Sequence, residues 1–173
     1  MVQLALTSGD DIYNGGSDND VIAGLGGNDR IVGFGGADFL LGNAGNDTLV
    51  GGAGDDSLYG GTGDDSLNGG GNRDVLSGDI GNDILDGGAG ADTYLFKIKD
   101  GAFTDGADTI VSFAVGSDII SAGTDYFGFV ILQDGADTDV YYNGTLMAEI
   151  SNHTFTGDYA DYIEGYDIGV IAV

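Results

Sequence analysis

This chain of 173 residues lacks, or nearly lacks, several residue types on which protein chemistry often depends. It has no Cys, one His, and four Lys and Arg residues against 29 Asp and Glu residues, so its formal net charge is -25. The absence of Cys excludes disulfide bonds, and a lone His153 gives little support to zinc clusters or His-dependent triads. Nucleic acid and anionic membrane surfaces would repel so acidic a chain. We therefore predict neither an enzyme nor a nucleic-acid-binding protein.

Long apolar segments are missing as well. No apolar run approaches the roughly 18 residues of a transmembrane helix, so we expect no membrane insertion. The first seven residues have no basic start and no long apolar core, which argues against a secretory signal peptide there. The length suits either one ordinary domain or a solenoid with a capping region.

What the chain has in abundance is a nine-residue unit, repeated ten times from Leu6 to Leu95 without insertion or deletion. Gly opens nine of the ten units and fills the fourth place in eight, the exceptions being Asp18 and Asn72. The eighth place is large and apolar throughout. The sixth place is Asp in every unit, at Asp11, Asp20, Asp29, Asp38, Asp47, Asp56, Asp65, Asp74, Asp83 and Asp92.

A unit of nine residues is too short to bury its own apolar side chain, so these side chains are buried only if units stack as a solenoid. The first six places hold turn-forming residues, and the last three suit a very short strand with its middle residue inward. Two units would then complete one turn of a flattened coil with two parallel sheets, and units of the same parity would lie about 4.8 Å apart. The aspartates would form two files, one along each edge: the Asp11 file (Asp11, Asp29, Asp47, Asp65, Asp83) and the Asp20 file (Asp20, Asp38, Asp56, Asp74, Asp92).

Each file of carboxylates needs a counter-charge. Unit charges roughly 5 Å apart repel by about 3 kcal/mol at an effective dielectric near 20. Because only Arg30, Arg73, Lys97 and Lys99 are basic, the positive charge must come from solution. Carboxylates and turn carbonyls offer only oxygen ligands, which favour calcium because it accepts about six to eight oxygens in irregular geometry.

Residues 51–59 read Gly-Gly-Ala-Gly-Asp-Asp-Ser-Leu-Tyr, which resembles the Gly-Gly-x-Gly-x-Asp-x-apolar-x nonapeptide of repeats-in-toxin (RTX) proteins. The resemblance implies an all-β fold, a calcium-filled right-handed parallel β-roll. It also implies secretion by a one-step bacterial exporter and folding outside the cell. Because the chain is acidic and Gly-rich, we expect it to be disordered without calcium. It implies no single activity, because RTX proteins include toxins, proteases, lipases, adhesins and surface-layer proteins.

The expected metal ligands are the ten aspartates of the two files. Internal carboxylates would each touch two ions, so four sites per edge predict about eight calcium ions. Carbonyl oxygens of turn glycines would complete the sites, and Asp18 and Asn72 should tolerate a left-handed backbone at the fourth place. Asp108 and Asp118, in a stretch that resembles the closing segment of RTX rolls, are either further ligands or turn-initiating residues. The expected carbonyl ligands are Gly24, Gly26, Gly33, Gly35, Gly42, Gly51, Gly60, Gly69, Gly78 and Gly87.

The repeat register fails from Phe96 onward, so we divide the chain into a roll at residues 1–95 and a C-terminal β-rich cap at residues 96–173. An independent binding domain is the alternative for the second part. Short strands are predicted at 93–98, 109–113 and 127–132, and a hairpin at 139–142 and 145–150 around Asn143-Gly144. Residues 161–173 resemble the C-terminal export signals of type I secretion substrates, or else form a closing strand.

Apolar residues flank the buried position on one sheet more than on the other, and such a face commonly marks a contact. We expect this face to be covered by the C-terminal strands or by a second protomer. Its apolar residues are Val21, Ala23, Phe39, Leu41, Tyr59, Val75 and Leu95.

Three functions are open. The first is a secreted calcium-dependent structural, matrix or surface-layer protein that self-associates. The second is a secretion and binding module of an enzyme or adhesin, and the third is a polysaccharide-acting enzyme.

Overall fold

The computed structural model describes residues 1–99, 102–103, 106–114, 117–121, 129–134, 137–142 and 145–150, with the backbone alone at 98–99, 102–103, 129–134, 137–142 and 145–150. Every regular element in these ranges is a β-strand, which confirms the predicted all-β class. No helix in the described part is long and apolar enough to span a membrane. The strands are β1 (Gln3–Ala5), β2 (Ile12–Asn14), β3 (Val21–Ala23), β4 (Arg30–Gly35), β5 (Phe39–Ala44), β6 (Thr48–Ala53), β7 (Ser57–Thr62), β8 (Ser66–Gly71), β9 (Val75–Ile80), β10 (Ile84–Ala89), β11 (Thr93–Leu95), β12 (Ile98–Lys99), β13 (Ala102–Phe103), β14 (Asp108–Ser112), β15 (Ile119–Ser121), β16 (Phe129–Asp134), β17 (Asp137–Tyr142) and β18 (Thr145–Ile150).

Strands β1 to β11, β14 and β15 pair in parallel within two sheets, as the repeat predicted for strands of alternate parity. The seven-stranded sheet runs β1-β3-β5-β7-β9-β11-β15, and the nine-stranded sheet runs β16-β17-β18-β14-β10-β8-β6-β4-β2. Leu40 pairs with Leu58 and Leu49 with Leu67, each eighteen residues further along the chain. Two units therefore make one turn of a parallel β-solenoid.

The apolar core is a double column of eighth-place side chains between the sheets. Each of them from Ile22 to Tyr94 is at most 1% exposed, and burial of each aliphatic residue contributes roughly 1.5–3 kcal/mol. Tyr94 connects the sheets because its hydroxyl donates to the Ser112 carbonyl at 2.7 Å and accepts from the Gly87 amide at 2.9 Å. The core continues beyond the repeats with Phe96, Ile110, Phe113 and Ile120.

The internal strands are longer than predicted. We expected three-residue strands at places seven to nine, but β4 to β10 each contain six residues and continue through the third place of the next unit. The reason is that the first-place Gly, which has no side chain, is buried on the same side as the eighth-place residue, as in the alternating burial of β6 and β7. Parallel pairing therefore extends into the turn, for example between Phe34 and Gly52.

Left-handed backbone occurs at both the second and the fourth places. Asn72 has φ 84°, as predicted, whereas the prediction for Asp18 is wrong because its φ is not positive. Asp18 lies in the first turn of its edge, where no fourth-place carbonyl of a preceding turn stands against it. Leu25 and Phe34, with φ of 80° and 76°, show that the second place also needs this conformation, which the sequence analysis did not identify.

Both sheets continue past Leu95. Strand β14 pairs in parallel with β10, and β15 pairs in parallel with β11, so the stacking extends beyond the last regular repeat. Strands β16 to β18 then join the edge of the nine-stranded sheet at β14. The predicted hairpin is present, since β17 and β18 pair antiparallel with Tyr142 opposite Thr145. The predicted export signal at 161–173 lies outside the described residues.

The outer face of the seven-stranded sheet carries the predicted apolar residues. The rings of Phe39 and Tyr59 are in contact, with centroids 5.4 Å apart. The Lys97 ammonium lies 5.8 Å from the Tyr59 ring centroid and 2.5 Å from an Asp79 carboxylate oxygen. Strands β14 to β18 join the sheets edge to edge, and Lys97 reaches over this face.

Candidate metal centre

The sixth-place aspartates form two continuous ladders, one along each edge. In each ladder the backbone amide of one Asp donates to Oδ1 of the Asp one turn later, as from Asp47 to Asp65 and from Asp38 to Asp56, both at 2.7 Å. Asp29 to Asp92 in these ladders are at most 3% exposed. The two predicted files are therefore present, with one carboxylate oxygen of each internal member fixed by the backbone.

The second carboxylate oxygen of these residues is buried without a hydrogen-bond partner. Among the residues that the structure describes, this applies to Oδ2 of eight consecutive members of the two files. A buried carboxylate oxygen without a partner is costly, because burial removes water from a charged acceptor. The arrangement needs a cation or a proton at each of these oxygens, which belong to Asp29, Asp38, Asp47, Asp56, Asp65, Asp74, Asp83 and Asp92.

The first-place glycines form the other wall of this oxygen-lined recess. A Cβ atom on Gly24 would lie within 2.5 Å of Oδ2 of Asp29 and 2.7 Å from the Gly42 carbonyl oxygen, which comes from the next turn. The same combination of an Asp Oδ2 and a first-place carbonyl recurs at Gly33, Gly42, Gly51 and Gly60. Gly is therefore required here for space, since these first places do not have positive φ.

The remaining predicted glycines fall into two groups. At Gly69, Gly78 and Gly87 a Cβ would again lie within 2.5 Å of Oδ2 of the following aspartate. The third-place Gly26 and Gly35 are different, because the nearest atom to a Cβ would be 3.8 and 3.7 Å away, and it is a carbonyl oxygen at the third place of the next turn. The structure thus brings the first-place glycines against the carboxylates, whereas none of the nearest atoms to a Cβ on either third-place glycine belongs to a carboxylate.

The ends of the files differ from their interiors. Oδ2 of Asp11 accepts hydrogen bonds from the hydroxyl and amide of Thr7, which hold the pKa of that carboxyl below its usual range. Asp20 accepts from the Val2 amide. At the other end, Asp108 and Asp118 accept from the amides of Asp83 and Asp92 at 3.0 Å and are buried. They extend the two ladders by one member each.

Burial shifts the titration of the internal carboxyls upward. It raises the pKa of Asp56 to about 6 and that of Asp65 to about 7, and neighbouring file members add to the shift by charge repulsion. Asp74 and Asp83 have pKa values raised to about 7 and about 6 for the same main reason. Without a cation, these four carboxyls therefore retain their protons to a higher pH than an ordinary aspartate does.

The donor set fits calcium. No group of three His, Cys, Asp or Glu side chains that could hold a metal occurs among the described residues, so any site on the files depends on backbone carbonyls as well as carboxylates. Calcium accepts such mixed oxygen sets, whereas magnesium requires a small octahedron and zinc prefers nitrogen and sulfur. An unpartnered Oδ2 facing a carbonyl from the next turn is an arrangement of that kind.

A second ladder at the fifth place was missed by the sequence analysis. Fifth-place Asn and Asp side chains accept from the fifth-place amide of the next turn, as Asn28 does from Asn46 at 2.8 Å. This ladder runs in the opposite direction to the aspartate ladder and lies at the surface. The signal was available, because the fifth place is Asn or Asp in seven of the ten units.

The family comparison agrees with the geometry. The family model for the RTX calcium-binding nonapeptide repeat matches four times, at residues 7–40, 32–67, 41–76 and 59–94. No curated protein matches the sequence. Among solved structures, the extracellular lipase LipA from Serratia marcescens is similar with a TM-score of 0.48 and 16% identity over 91% of this chain, which spans 38% of the lipase chain.

The matched segments together run from residue 7 to residue 94, which is just over half of the chain. They coincide with the units whose carboxylates form the two ladders. The chain belongs to the family of proteins with RTX calcium-binding nonapeptide repeats.

Proposed function

We propose that this protein is a secreted β-roll that folds when it binds calcium outside the cell and then serves as a structural component of a matrix or surface layer. The observation that carries the proposal is the set of eight buried Oδ2 atoms without partners in the two files. A fold that buries these atoms is stable only when a cation or protons neutralise them. This requirement makes folding depend on the ionic composition of the surroundings.

The proposed ligands are the Asp29-to-Asp92 carboxylates together with first-place carbonyls such as those of Gly42, Gly51 and Gly60. Bound calcium supplies positive charge to both files. Eight divalent ions would change the formal charge from -25 to about -9, starting from the sequence value. Asp11 has its carboxylate engaged by Thr7, so we assign it a lesser role than the internal members.

Calcium dependence suits export followed by folding. Extracellular calcium modules bind with dissociation constants of about 0.1–1 mM, far above the free calcium level inside cells. The chain would stay unfolded, and thus exportable, until it reaches the medium. The family's usual extracellular location agrees with this proposal.

A structural role agrees with the surface of the roll better than a catalytic one. The outer face of the seven-stranded sheet presents Phe39 at 38% exposure, next to Tyr59 and Leu41. We propose that this face contacts a second copy of the chain. A Phe39→Asp, Leu41→Asp double variant should then stay folded in calcium but lose self-association, which light scattering would detect.

A calcium titration followed by circular dichroism tests the main proposal. We expect β-structure to appear cooperatively with calcium, much less with magnesium, and about eight bound ions by native mass spectrometry. A chain already fully folded in chelator at pH 8, or one that binds only one or two ions, would show that the files are not the metal site.

A further inference from the structure

One cavity lies on the surface of the Asp20 edge, beside the aspartate ladder, and Asp74 of that ladder is part of its lining. It has a volume of about 420 Å³, which is within the range of about 300–1,000 Å³ for small-ligand pockets. Its lining comes from four successive turns and includes Asp55, Arg73, Val75, Thr93, Ser117 and Ile119. We call it the Arg73 cavity.

The cavity exists because the fifth-place ladder is interrupted on this edge. On the opposite edge the fifth-place side chains of Asn46, Asp64 and Asn82 occupy the corresponding positions and bond to the next turn. One turn after Arg73 on the Asp20 edge, the fifth-place residue is Ala91. It offers only a methyl group and lines the cavity. Ser117, which precedes Asp118 as Ala91 precedes Asp92, is also small.

A charged pair stands at one side of the cavity. The Arg73 guanidinium donates from Nη2 to Oδ2 of Asp55 at 3.0 Å, and the Arg73 amide donates to Oδ1 of Asp55 at 3.1 Å. A guanidinium has five N–H donors, and the bond to Asp55 uses one of them. The Arg73 side chain is 74% exposed and that of Asp55 is 48% exposed, so both can reach a ligand.

The chemistry of the lining favours a neutral ligand that is rich in hydroxyl groups. An anion would face Asp55 and a chain of net charge -25, and a cation would face the guanidinium. A hydroxyl group can accept from Arg73 and donate to Asp55 at once. Thr93 offers a further hydroxyl, and the Ser117 hydroxyl, which donates to the Ala114 carbonyl, can still accept. Val75, Ala91 and Ile119 provide apolar surface for the C–H groups of a sugar ring.

We propose that the Arg73 cavity binds one or two units of a neutral saccharide. The site requires four turns of the coil to be stacked, so binding requires the folded roll and rests on the proposed calcium-dependent folding. A structural protein with such a site could attach to neutral glycans at a cell surface or in a matrix. Asp74 belongs to the Asp20 file and also lines the cavity, so the test uses Arg73 and Ala91, which are not members of the aspartate ladders.

The test is nuclear magnetic resonance of the amide-labelled full chain in saturating calcium, with neutral oligosaccharides of glucose, galactose, mannose and N-acetylglucosamine as probes. At least one should shift the amide signals of residues 73–75, 91–93 and 117–119. Glucuronic acid and glucosamine, which add a charge to the same ring, should bind more weakly. If no neutral probe moves these signals at millimolar concentration, the proposal is overturned.

Matched variants make the result specific. Arg73→Gln should lower the affinity about tenfold or more, since hydrogen bonds to charged groups are the stronger ones, whereas Arg30→Gln makes the same charge change on the exposed face of β4 and should have no effect. Ala91→Asn fills the cavity and should also abolish binding. Circular dichroism and a calcium titration on each variant establish whether the roll still forms, so a failure of folding is distinguished from a failure of saccharide binding. Equal affinity in all variants would overturn the proposal.

Discussion

The two edges of the coil share their sixth-place aspartates but differ at the fifth place. On the Asp11 edge, Asp10, Asn28, Asn46, Asp64 and Asn82 each accept from the fifth-place amide of the next turn. On the Asp20 edge, Ala37 and Ala91 offer no acceptor, and Arg73 pairs with Asp55 instead.

The two edges therefore contain two kinds of repeat position, one that both edges keep and one that only one edge keeps at every turn. A sixth-place carboxylate bonds to the backbone on both edges and presents Oδ2 to an oxygen-lined recess, so both edges retain it in every unit. A fifth-place side chain adds one exposed hydrogen bond, which contributes about 0.5–1.5 kcal/mol. The Asp20 edge therefore lacks that bond at some turns and still forms the coil.

The largest effect should come from pH, and it should be the same for both edges. In the folded chain without calcium, burial raises the pKa of Asp56 to about 6 and that of Asp65 to about 7, from an ordinary 3.8. Because these pKa values are raised, the protonated carboxyls stabilise the calcium-free coil. The stabilisation is complete below pH 4 and is lost as pH rises through 6 to 7.

Circular dichroism in chelator should therefore show more β-structure near pH 5 than at pH 8. The calcium concentration needed for folding should rise as pH falls over that interval, because protons compete for the same oxygens. A calcium-free chain that loses structure on acidification would contradict the raised pKa values.

Removal of one internal carboxylate should have the next largest effect. Asp65→Ala, in the Asp11 file, and Asp56→Ala, in the Asp20 file, should each weaken two adjacent calcium sites. A tenfold loss at both sites corresponds to about 3 kcal/mol, and native mass spectrometry should count two fewer ions at limiting calcium. Asp64→Asn, at an exposed fifth place that keeps its Oδ1 acceptor, is the control. Unchanged cooperativity in both alanine variants would argue against shared ligands.

A methyl group at the first place should destabilise the calcium-bound coil on either edge. Gly60→Ala directs a Cβ at Oδ2 of Asp65 and the Gly78 carbonyl, and Gly51→Ala does the same at Asp56 and Gly69. Overpacking of this kind costs about 1–3 kcal/mol, measurable by urea unfolding in calcium. The control is Gly71→Ala, where the nearest atom to the new Cβ is 4.0 Å away. Equal stability of the three variants would show that the recess tolerates a side chain.

The smallest effect should come from exchanging fifth-place residues between the edges. Asn46→Ala removes the acceptor of the Asp64 amide on the Asp11 edge and should lower the unfolding free energy by about 1 kcal/mol. Ala37→Asn places an acceptor near the Asp55 amide on the Asp20 edge and should raise the unfolding free energy by up to about the same amount. Thermal unfolding of both variants in calcium checks the pair, and a change of the same sign in both would break the comparison.

The repeat predicted most of the fold, because stacking leaves few alternatives for a nine-residue unit with one apolar place. Periodicity alone predicts the two sheets, the buried column from Ile22 to Tyr94 and the assignment of alternate units to the two files. The six-residue strands did not follow, because an inward first-place Gly cannot be distinguished from a turn Gly by composition. Likewise, Leu25 and Phe34 hold left-handed conformations that their residue types disfavour, and only stacking against neighbouring turns imposes them.

At the candidate metal site, the sequence predicted which carboxylates come together but not how they are held. Amide bonding to Oδ1 and the unpartnered Oδ2 depend on the stagger between turns, which no single unit encodes. The residue type alone suggests the third-place Gly26 and Gly35 as ligands, and none of the nearest atoms to a Cβ on either residue belongs to a carboxylate. Their role as ligands stays a prediction.

Anomalous X-ray diffraction from crystals grown in calcium tests the central claim most directly. The account predicts two rows of calcium peaks, one per edge, each peak beside the Oδ2 atoms from Asp29 to Asp92 that have no other partner. A folded roll with no peaks along the two files, or with calcium bound only elsewhere on the chain, would contradict it.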